Sequence, residues 1–168
     1  MSREVYTESD IRKMKEEIEH RRLVVRKEAL EAVKEARAQG DLSENFEYYA
    51  AKREKNRNES RIRYLERLVR NATVVSDESA ADEVGMNNAV EVYFPEEDMT
   101  ETYKLVTSIR GNSLNHYISV ESPLGKALMG HRAGDTVTVR VSPEICYDVE
   151  IRRIDKSLDD SEDSIRGF

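Results

Sequence analysis

The chain has 168 residues, of which 36% are charged, with a formal net charge of -7 and a mean hydropathy of -0.73. No stretch approaches the roughly 18 apolar residues of a membrane span, and the N-terminus lacks the apolar segment of a secretion signal. We therefore expect a cytoplasmic protein of one or two domains, without a membrane partner. Cys146 is the single cysteine, which excludes an internal disulfide, and its apolar neighbours predict a buried thiol.

The net charge hides an asymmetry between the two halves of the sequence. Residues 1–75 contain 18 Lys and Arg against 15 Asp and Glu, a balance of +3. Residues 76–168 contain 9 against 19, a balance of -10. Such a division indicates two modules that face different partners.

Residues 1–75 carry the pattern of two helices packed along one seam. In the first helix, apolar or small residues recur at steps of three and four once Arg22 is admitted: Ile11, Met14, Ile18, Val25, Ala29, Ala32 and Ala36. The second helix follows the same rule at Tyr48, Ala51, Lys55, Asn58, Ile62, Leu65 and Val69. About five residues separate the helices, so they fold back antiparallel. At 1.5 Å per residue, arms of about 30 residues give a coiled-coil hairpin about 45 Å long, too thin for a central core.

The composition and hydropathy pattern of the sequence change after residue 75. Residues 76–88 are acidic and turn-prone and predict a linker. Residues 89–155 predict a small α+β domain, because five runs alternate between apolar and polar residues: 90–94, 103–106, 117–120, 137–141 and 147–151. Ser122 as a cap, Pro123 at the first helical position and Gly130 at the exit predict one short helix. Residues 156–168 are acidic and predict a flexible tail.

Two carboxylates, Asp41 and Glu44, lie at the bend of the predicted hairpin, far from any core. Their spacing fits the start of the second helix, where carboxylates accept backbone N–H bonds and suit the positive helix end. The same pair also fits one face of a Mg²⁺ ion, provided that another macromolecule supplies the remaining ligands. The spacing alone favours capping, and the two roles do not exclude each other.

The second helix is rich in cations: Lys52, Arg53, Lys55, Arg57, Arg61, Arg63, Arg67 and Arg70, against Glu54, Glu59 and Glu66. One interpretation is a solvated face with ion pairs inside the helix. The other is a basic stripe that follows a nucleic-acid backbone or lines an acidic channel. Beside the bend, Tyr48 is expected in the seam, and Phe46 is suited to stacking on a base.

Two motifs in the chain resemble the signatures of the bacterial Gre transcript-cleavage factors, the GreA/GreB family, with GreA as the nearer branch. The first is Gly40-Asp41-Leu42-Ser43-Glu44-Asn45, followed by Glu47-Tyr48, Ala50-Ala51-Lys52 and Arg61-Ile62. The second runs from Ile118-Ser119-Val120 through Ser122-Pro123-Leu124 to Lys126-Ala127-Leu128-Met129-Gly130. The motifs stand in the family's order, about 70 residues apart, and the resemblance covers nearly the whole chain. It implies an FKBP-like fold for residues 89–155.

The resemblance implies a mechanism that composition does not reveal. Gre factors push their hairpin through the secondary channel of RNA polymerase, and their globular domain grips the channel rim. Their tip carboxylates help to hold a second Mg²⁺ and to orient water, and the polymerase's own site then cleaves backtracked RNA. The chain is thus expected to have no active site of its own and no stably bound cofactor. It is expected to be a monomer when free, with RNA polymerase and the nascent RNA 3′ end as partners and DNA binding as an associated property.

The site residues carry over by position. The matching catalytic and metal-binding pair is Asp41 and Glu44, which would share Mg²⁺ with the polymerase. The expected contacts to RNA or polymerase are Ser43, Asn45, Phe46, Lys52, Arg53, Arg57 and Arg61. The expected contacts to the channel rim are Ser122, Pro123, Leu124 and Met129.

The sequence departs from the family pattern at three places. Phe46 stands where the family has a small residue, the family's early glycine is absent around Asp10, and the acidic tail after Ile154 runs beyond the usual end. The absence of Trp and the presence of only three Phe argue against prolyl isomerase activity in the FKBP-like domain.

Three alternative functions are weaker. A paralogue that occupies the channel and inhibits the polymerase would have a changed tip, whereas this tip is intact. A stand-alone coiled coil conflicts with Gly40 and the break that follows it. An independent nuclease would need more metal ligands than the scattered His20, His116 and His131 provide.

Overall fold

A computed structural model describes residues 4–39, 45–161 and 163–167 of the chain. Two compact units divide these residues. The hairpin unit contains residues 11–39 and 45–73 together with Glu4, and the sheet unit contains residues 5–10, 74–161 and 163–167.

Four helical segments form the two arms at the N-terminal end: α1 (Glu8–His20), a π-helical segment (Arg21–Val25), α2 (Arg26–Ala38) and α3 (Phe46–Asn71). The last helix packs back along the arm that precedes it, which confirms the predicted helical hairpin. The first arm is not one uniform helix, however, because the π-helical segment interrupts it.

The π-helical segment adds one residue to a single turn of the first arm. The Arg26 N–H donates to the Arg21 carbonyl five residues earlier, in place of the usual four. Asn58 of α3 faces this turn and is 3% exposed. Its Nδ2 donates to the same Arg21 carbonyl at 3.3 Å, and its Oδ1 accepts from Arg21 Nη1 at 3.0 Å. The buried Asn58 of the second arm is thus hydrogen-bonded to the π-helical turn of the first arm.

The seam of the first arm differs from the predicted one at two positions. Arg22 and Ala32, both predicted in the seam, are exposed, whereas Arg21 and Val33 are half-buried. The prediction was wrong at Arg22 and Ala32, whereas Val25, Ala29 and Ala36 lie in the seam as predicted. In α3 the predicted seam is confirmed, and its most buried members are Asn58, Ile62 and Leu65.

The sheet unit contains one short helix, two 3₁₀ turns and most of the strands. Its strands are β1 (Val5–Tyr6), β3 (Ala89–Phe94), β4 (Met99–Val106), β5 (Tyr117–Ser119), β6 (Thr136–Arg140) and β7 (Cys146–Asp155), and β2 (Thr73–Val74) straddles the unit boundary. The 3₁₀ turns are Ser108–Arg110 and Ser113–Asn115, and the helix is α4 (Pro123–Leu128). These elements confirm the predicted fold class of a helical hairpin followed by a small sheet domain.

The main sheet has five strands in the order β5-β4-β3-β7-β6. All neighbours are antiparallel except β4 and β5, which run parallel. The sheet is thus antiparallel, as expected for an FKBP-like domain, except at the short edge strand β5. Cys146 at the start of β7 is exposed, so the predicted buried thiol is wrong.

The core of the sheet unit follows from the alternation of the strands. Alternate residues of β3, β6 and β7 are buried: Val90 and Val92, Val137 and Val139, Val149 and Ile151. Leu128 of α4 covers this face.

The start and end of α4 match the predicted signals. Ser122 Oγ accepts from the Gly125 N–H at 3.1 Å, Pro123 occupies the first turn, and Gly130 has a φ of +80°. A Cβ atom at Gly125 would lie 2.1 Å from the Ser119 carbonyl oxygen, so glycine permits the close approach of α4 to β5.

Two chain segments far apart in sequence meet at Arg110 inside the sheet unit. Arg110 is 1% exposed; its Nε donates to Asp10 Oδ1 at 2.6 Å and its Nη1 donates to Asp163 Oδ2 at 2.8 Å. Lys104 Nζ binds the same Asp163 oxygen, also at 2.8 Å. Burial raises the pKa of Asp163, but the hydrogen bonds from Lys104 and Arg110 outweigh that effect and lower it overall.

Asp10 also completes the cap of α1. The Thr7 N–H donates to Asp10 Oδ2 at 3.0 Å, and the Asp10 N–H donates to Thr7 Oγ1 at 3.2 Å. This reciprocal pair is a capping box with aspartate at its third helical position. Thr107 Oγ1 donates to the same carboxylate at 2.6 Å. Asp10, near which the family's early glycine is absent, therefore has hydrogen-bond partners for both carboxylate oxygens inside the sheet unit.

The segment predicted to be a flexible tail makes specific contacts. Asp163 is buried, the Arg166 N–H donates to the Ile109 carbonyl at 2.6 Å, and Lys156 Nζ donates to the Glu83 carbonyl at 2.6 Å. Its flexibility stays a prediction. The contacts join both ends of the described segment to the sheet unit.

Candidate functional site

The predicted site begins with residues that the structure does not describe. Asp41, Ser43 and Glu44 fall in the gap 40–44, so their predicted roles lie outside the described residues. The two helix ends that this segment connects are described, and they set the frame of the site.

Asn45 closes the hairpin immediately after the gap. It is the N-cap of α3, where its Oδ1 accepts from the Tyr48 N–H at 3.0 Å. Its Nδ2 donates to the Ala36 carbonyl at 2.7 Å, which satisfies an end group of α2. One amide therefore caps one helix and ties it to the other. The N-cap position itself belongs to Asn45, so neither Asp41 nor Glu44 occupies it.

A second contact joins the two arms beside this closure. The Arg37 guanidinium lies 5.5 Å from the centre of the Tyr48 ring, and its Nη2 donates to the Tyr48 hydroxyl at 3.4 Å. That hydrogen bond lowers the pKa of Tyr48. The Tyr48 ring meets the Tyr49 ring edge to face at 5.4 Å between centroids. The sequence correctly predicted Tyr48 in the seam but assigned no role to Tyr49.

The predicted contact residues of α3 fall into two groups. Phe46 is 86% exposed, and Lys52, Arg53 and Arg57 are also exposed. Arg61 is 4% exposed and holds Glu17, with 2.8 Å between Nε and Oε2. Its guanidinium is thus occupied within the hairpin unit, and the RNA or polymerase contact stays a prediction for this residue.

Glu17 organises the buried polar part of the hairpin unit, and the sequence did not single it out. It receives hydrogen bonds from Arg61 and from Arg21 Nε, the latter also at 2.8 Å. Burial raises the pKa of Glu17, but these hydrogen bonds outweigh it and lower the pKa overall. An acidic residue four positions before Arg21 was the signal available in the sequence for this cluster.

The residues predicted to meet a channel rim lie around α4. Pro123 is exposed, whereas Leu124 and Met129 are partly buried against the core. The Ser122 hydroxyl already caps α4 and donates to the Ser119 carbonyl at 2.6 Å. Their contact with a partner stays a prediction.

Known families account for nearly the whole chain. The family model "Transcription elongation factor, N-terminal" matches residues 4–74, and "Transcription elongation factor, GreA/GreB, C-term" matches residues 78–156. The chain belongs to the GreA/GreB family of transcription elongation factors. Family membership confirms the resemblance seen in the sequence, and it excludes a stand-alone coiled coil.

Several GreA proteins are similar to this chain over most of their length. "Transcription elongation factor GreA" of Acholeplasma laidlawii is 38% identical over 155 residues, which are 91% of this chain and 98% of that protein. The GreA of Streptococcus pneumoniae is 42% identical over 146 residues, 86% of this chain and 91% of that protein. The GreA factor homologue Gfh1 of Thermus thermophilus is a 27% identical structure that covers 91% of this chain and 99% of its own, with a TM-score of 0.43.

A further feature of the site is the set of side chains that could hold a metal ion. Within residues 4–39, 45–161 and 163–167, no group of three or more His, Cys, Asp or Glu side chains is placed to hold a metal ion. Asp41 and Glu44 add two hard oxygen donors, which suit Mg²⁺ but fall short of its six positions. The donor set fits an ion shared with a second macromolecule.

No helix in the described part of the chain has both the length and the apolar character needed to cross a membrane.

Proposed function

We propose that the chain acts on RNA polymerase by inserting its hairpin into the secondary channel and stimulating the polymerase's own cleavage of backtracked RNA. It acts in the cytoplasm, as a monomer when free, and has no active site of its own. Because the chain belongs to the GreA/GreB family, one structural observation supports this function above all. An acidic pair lies in the connection between two helix ends that Asn45 holds together, 2.7 Å from its Nδ2 to the Ala36 carbonyl.

The hairpin unit has the properties of a probe that enters a narrow channel. At about 1.5 Å per residue, the 26 residues of α3 extend about 39 Å. The arms bury a single seam, and charged residues cover much of the remaining surface. Such a rod is long enough to carry a small acidic group to a distant site while another part of the chain remains outside.

The chemistry of the tip supports a shared metal site. Asp41 and Glu44 would hold a Mg²⁺ ion whose remaining ligands come from the polymerase and water. When bound, such an ion neutralises developing negative charge and lowers the pKa of bound water. The contribution of this chain is then to supply carboxylate oxygens, to orient water by hydrogen bonding, and to keep both groups on a closed helical frame. Asn45 already serves as the N-cap of α3, so that position does not require either carboxylate.

The test is a cleavage assay on stalled, backtracked RNA polymerase with and without the protein. Asp41→Asn and Glu44→Gln are each expected to abolish stimulated cleavage while binding to the polymerase survives. Glu54→Gln is the matched control, because it removes one exposed carboxylate from α3 outside the tip. Normal cleavage with either tip variant would contradict the metal-binding role. Binding accompanied by inhibition in the unsubstituted protein would instead identify a channel-blocking paralogue.

A further inference from the structure

An aromatic and basic stripe lies on the exposed face of α3 next to the tip. Phe46 is 86% exposed and Tyr49 is 44% exposed, and Arg53 and Arg57 follow on the same helix, also exposed. At about 100° per residue, Phe46, Arg53 and Arg57 fall within about 40° of one another, and Tyr49 lies about 60° to one side of Phe46. The buried seam of α3 is on the opposite side of the helix, so the stripe faces away from the other arm.

The described residues leave 86% of Phe46 exposed, and with it most of the apolar surface of the ring. A large aromatic side chain gains free energy when its surface leaves water, and Phe46 is almost entirely in water. The Tyr49 ring packs against a neighbour, because its centroid lies 5.4 Å from that of Tyr48, and the Arg37 guanidinium in turn contacts the Tyr48 ring. The stripe therefore presents one free ring and one ring with a fixed neighbour, followed by cations about 10 Å farther along the helix.

We infer that Phe46 and Tyr49 form a stacking platform for the unpaired bases of the extruded RNA 3′ end. This inference rests on the proposed function, which brings single-stranded RNA to the tip. Aromatic side chains stack on any base, and nearby cations attract the backbone, so the pair of features matches single-stranded nucleic acid. The positive charges also complement RNA better than they complement an apolar protein surface. Phe46 comes two residues after Glu44, so a base stacked on it would lie close to the cleavage chemistry.

The platform predicts a particular dependence on the substrate. Backtracked complexes are prepared with either a normal base or an abasic nucleotide at the extruded 3′ end, and the cleavage rate is measured at subsaturating protein. The unsubstituted protein should cleave the normal complex about 5- to 150-fold faster than the abasic one, the range expected for one stacked base. Phe46→Ala should lose that difference and cleave both complexes at the slower rate.

Two further substitutions separate base stacking from an apolar contact with the polymerase. Phe46→Trp keeps an aromatic face and should retain the preference for the normal base. Phe46→Leu keeps apolar volume without an aromatic face and should behave like Phe46→Ala. Leu30→Ala is the matched control, because Leu30 is also a large exposed side chain, 47% exposed, but lies on α2. It should leave both rates unchanged.

The outcomes distinguish this inference from the proposed function. Equal cleavage of normal and abasic complexes by an active unsubstituted protein would overturn the platform and leave the proposed function intact. Full activity and base preference in Phe46→Leu would also overturn it, in favour of an apolar contact. Complete absence of stimulated cleavage would overturn the proposed function and, with it, the inferred RNA contact. A direct readout uses 2-aminopurine at the RNA 3′ end with Asp41→Asn, where stacking on Phe46 should change the fluorescence and Phe46→Ala should not.

Discussion

The buried charge at Asp163 gives the sharpest test of how the sheet unit is stabilised. Its carboxylate accepts from Lys104 Nζ and Arg110 Nη1, both at 2.8 Å, and the three side chains are at most 8% exposed. Asp163→Asn keeps the size of the side chain but removes the negative charge that both cations share. We expect it to destabilise the sheet unit at neutral pH.

The size of the effect follows from what each cation retains. Removing one partner of a buried ion pair costs about 3–5 kcal/mol. The lower end applies, because Arg110 keeps Asp10 at 2.6 Å and Lys104 keeps the Asp159 carbonyl at 2.5 Å. A loss of about 3 kcal/mol, at about 4–8 °C per kcal/mol for a unit of this size, lowers the melting temperature by roughly 12–24 °C.

The effect should also depend on pH in a defined direction. The pKa of Asp163 is lowered in the folded chain, so its stabilising contribution is complete above the unfolded value of 3.8. That contribution is lost as the pH falls through the lower, folded pKa. The difference between the two proteins is therefore expected to stay constant from neutral pH to about pH 5 and to shrink below about pH 4.

The assay is urea unfolding of the full chain, with hydrogen exchange of β3 and β4 amides to report the sheet unit separately. Asp159→Asn is the control, since it removes an exposed carboxylate nearby but keeps the carbonyl that Lys104 uses. It should change the free energy of unfolding by less than about 0.5 kcal/mol. An equally small change in Asp163→Asn at pH 7 would refute the role assigned to the buried network.

Two other substitutions test the hairpin unit. Asn45→Ala removes the hydrogen bonds to the Tyr48 N–H and to the Ala36 carbonyl. It should lower the free energy of unfolding by about 1–2 kcal/mol and speed amide exchange in the first turn of α3. Unchanged exchange would contradict the role of Asn45 in joining the two helix ends, and Asn45→Asp should restore the cap alone. Glu17→Gln should lower the free energy of unfolding by about 2–3 kcal/mol above pH 5, measured by urea unfolding, because Arg61 is 4% exposed and loses its charged partner. This loss should shrink as the pH falls through the lowered pKa of Glu17. A loss that grows on acidification would be inconsistent with this account.

Local patterns predicted the elements whose signals lie close together in the sequence. The alternation of Val90 and Val92 is sufficient to place β3, because a half-buried strand needs only its own period. Ser122, Pro123 and Gly130 similarly determine where α4 starts and ends. Family signatures extended the prediction from the fold to the tip.

Contacts between distant residues were not predictable in the same way. An arginine in a charged helix looks alike whether it faces solvent or a carboxylate, and Arg61 meets Glu17 44 residues away. Asp10 and Asp163 share Arg110 across 100 and 53 residues respectively, and nothing local marks either of them as buried. The π-helical turn was not predicted, because one added residue in a helical turn leaves no distinctive composition.

The bond between Asn45 and the Ala36 carbonyl has a consequence for how this protein can diversify. Because the two helix ends are joined below residues 40–44, exchanging those residues leaves the cap of α3 and the seam in place. Closing a loop of similar length costs nearly the same chain entropy whatever its side chains are. Residues 40–44 can therefore be exchanged without changing the two helices that carry them. A lineage could gain, lose or retune its activity by altering a few positions, with little penalty in folding stability.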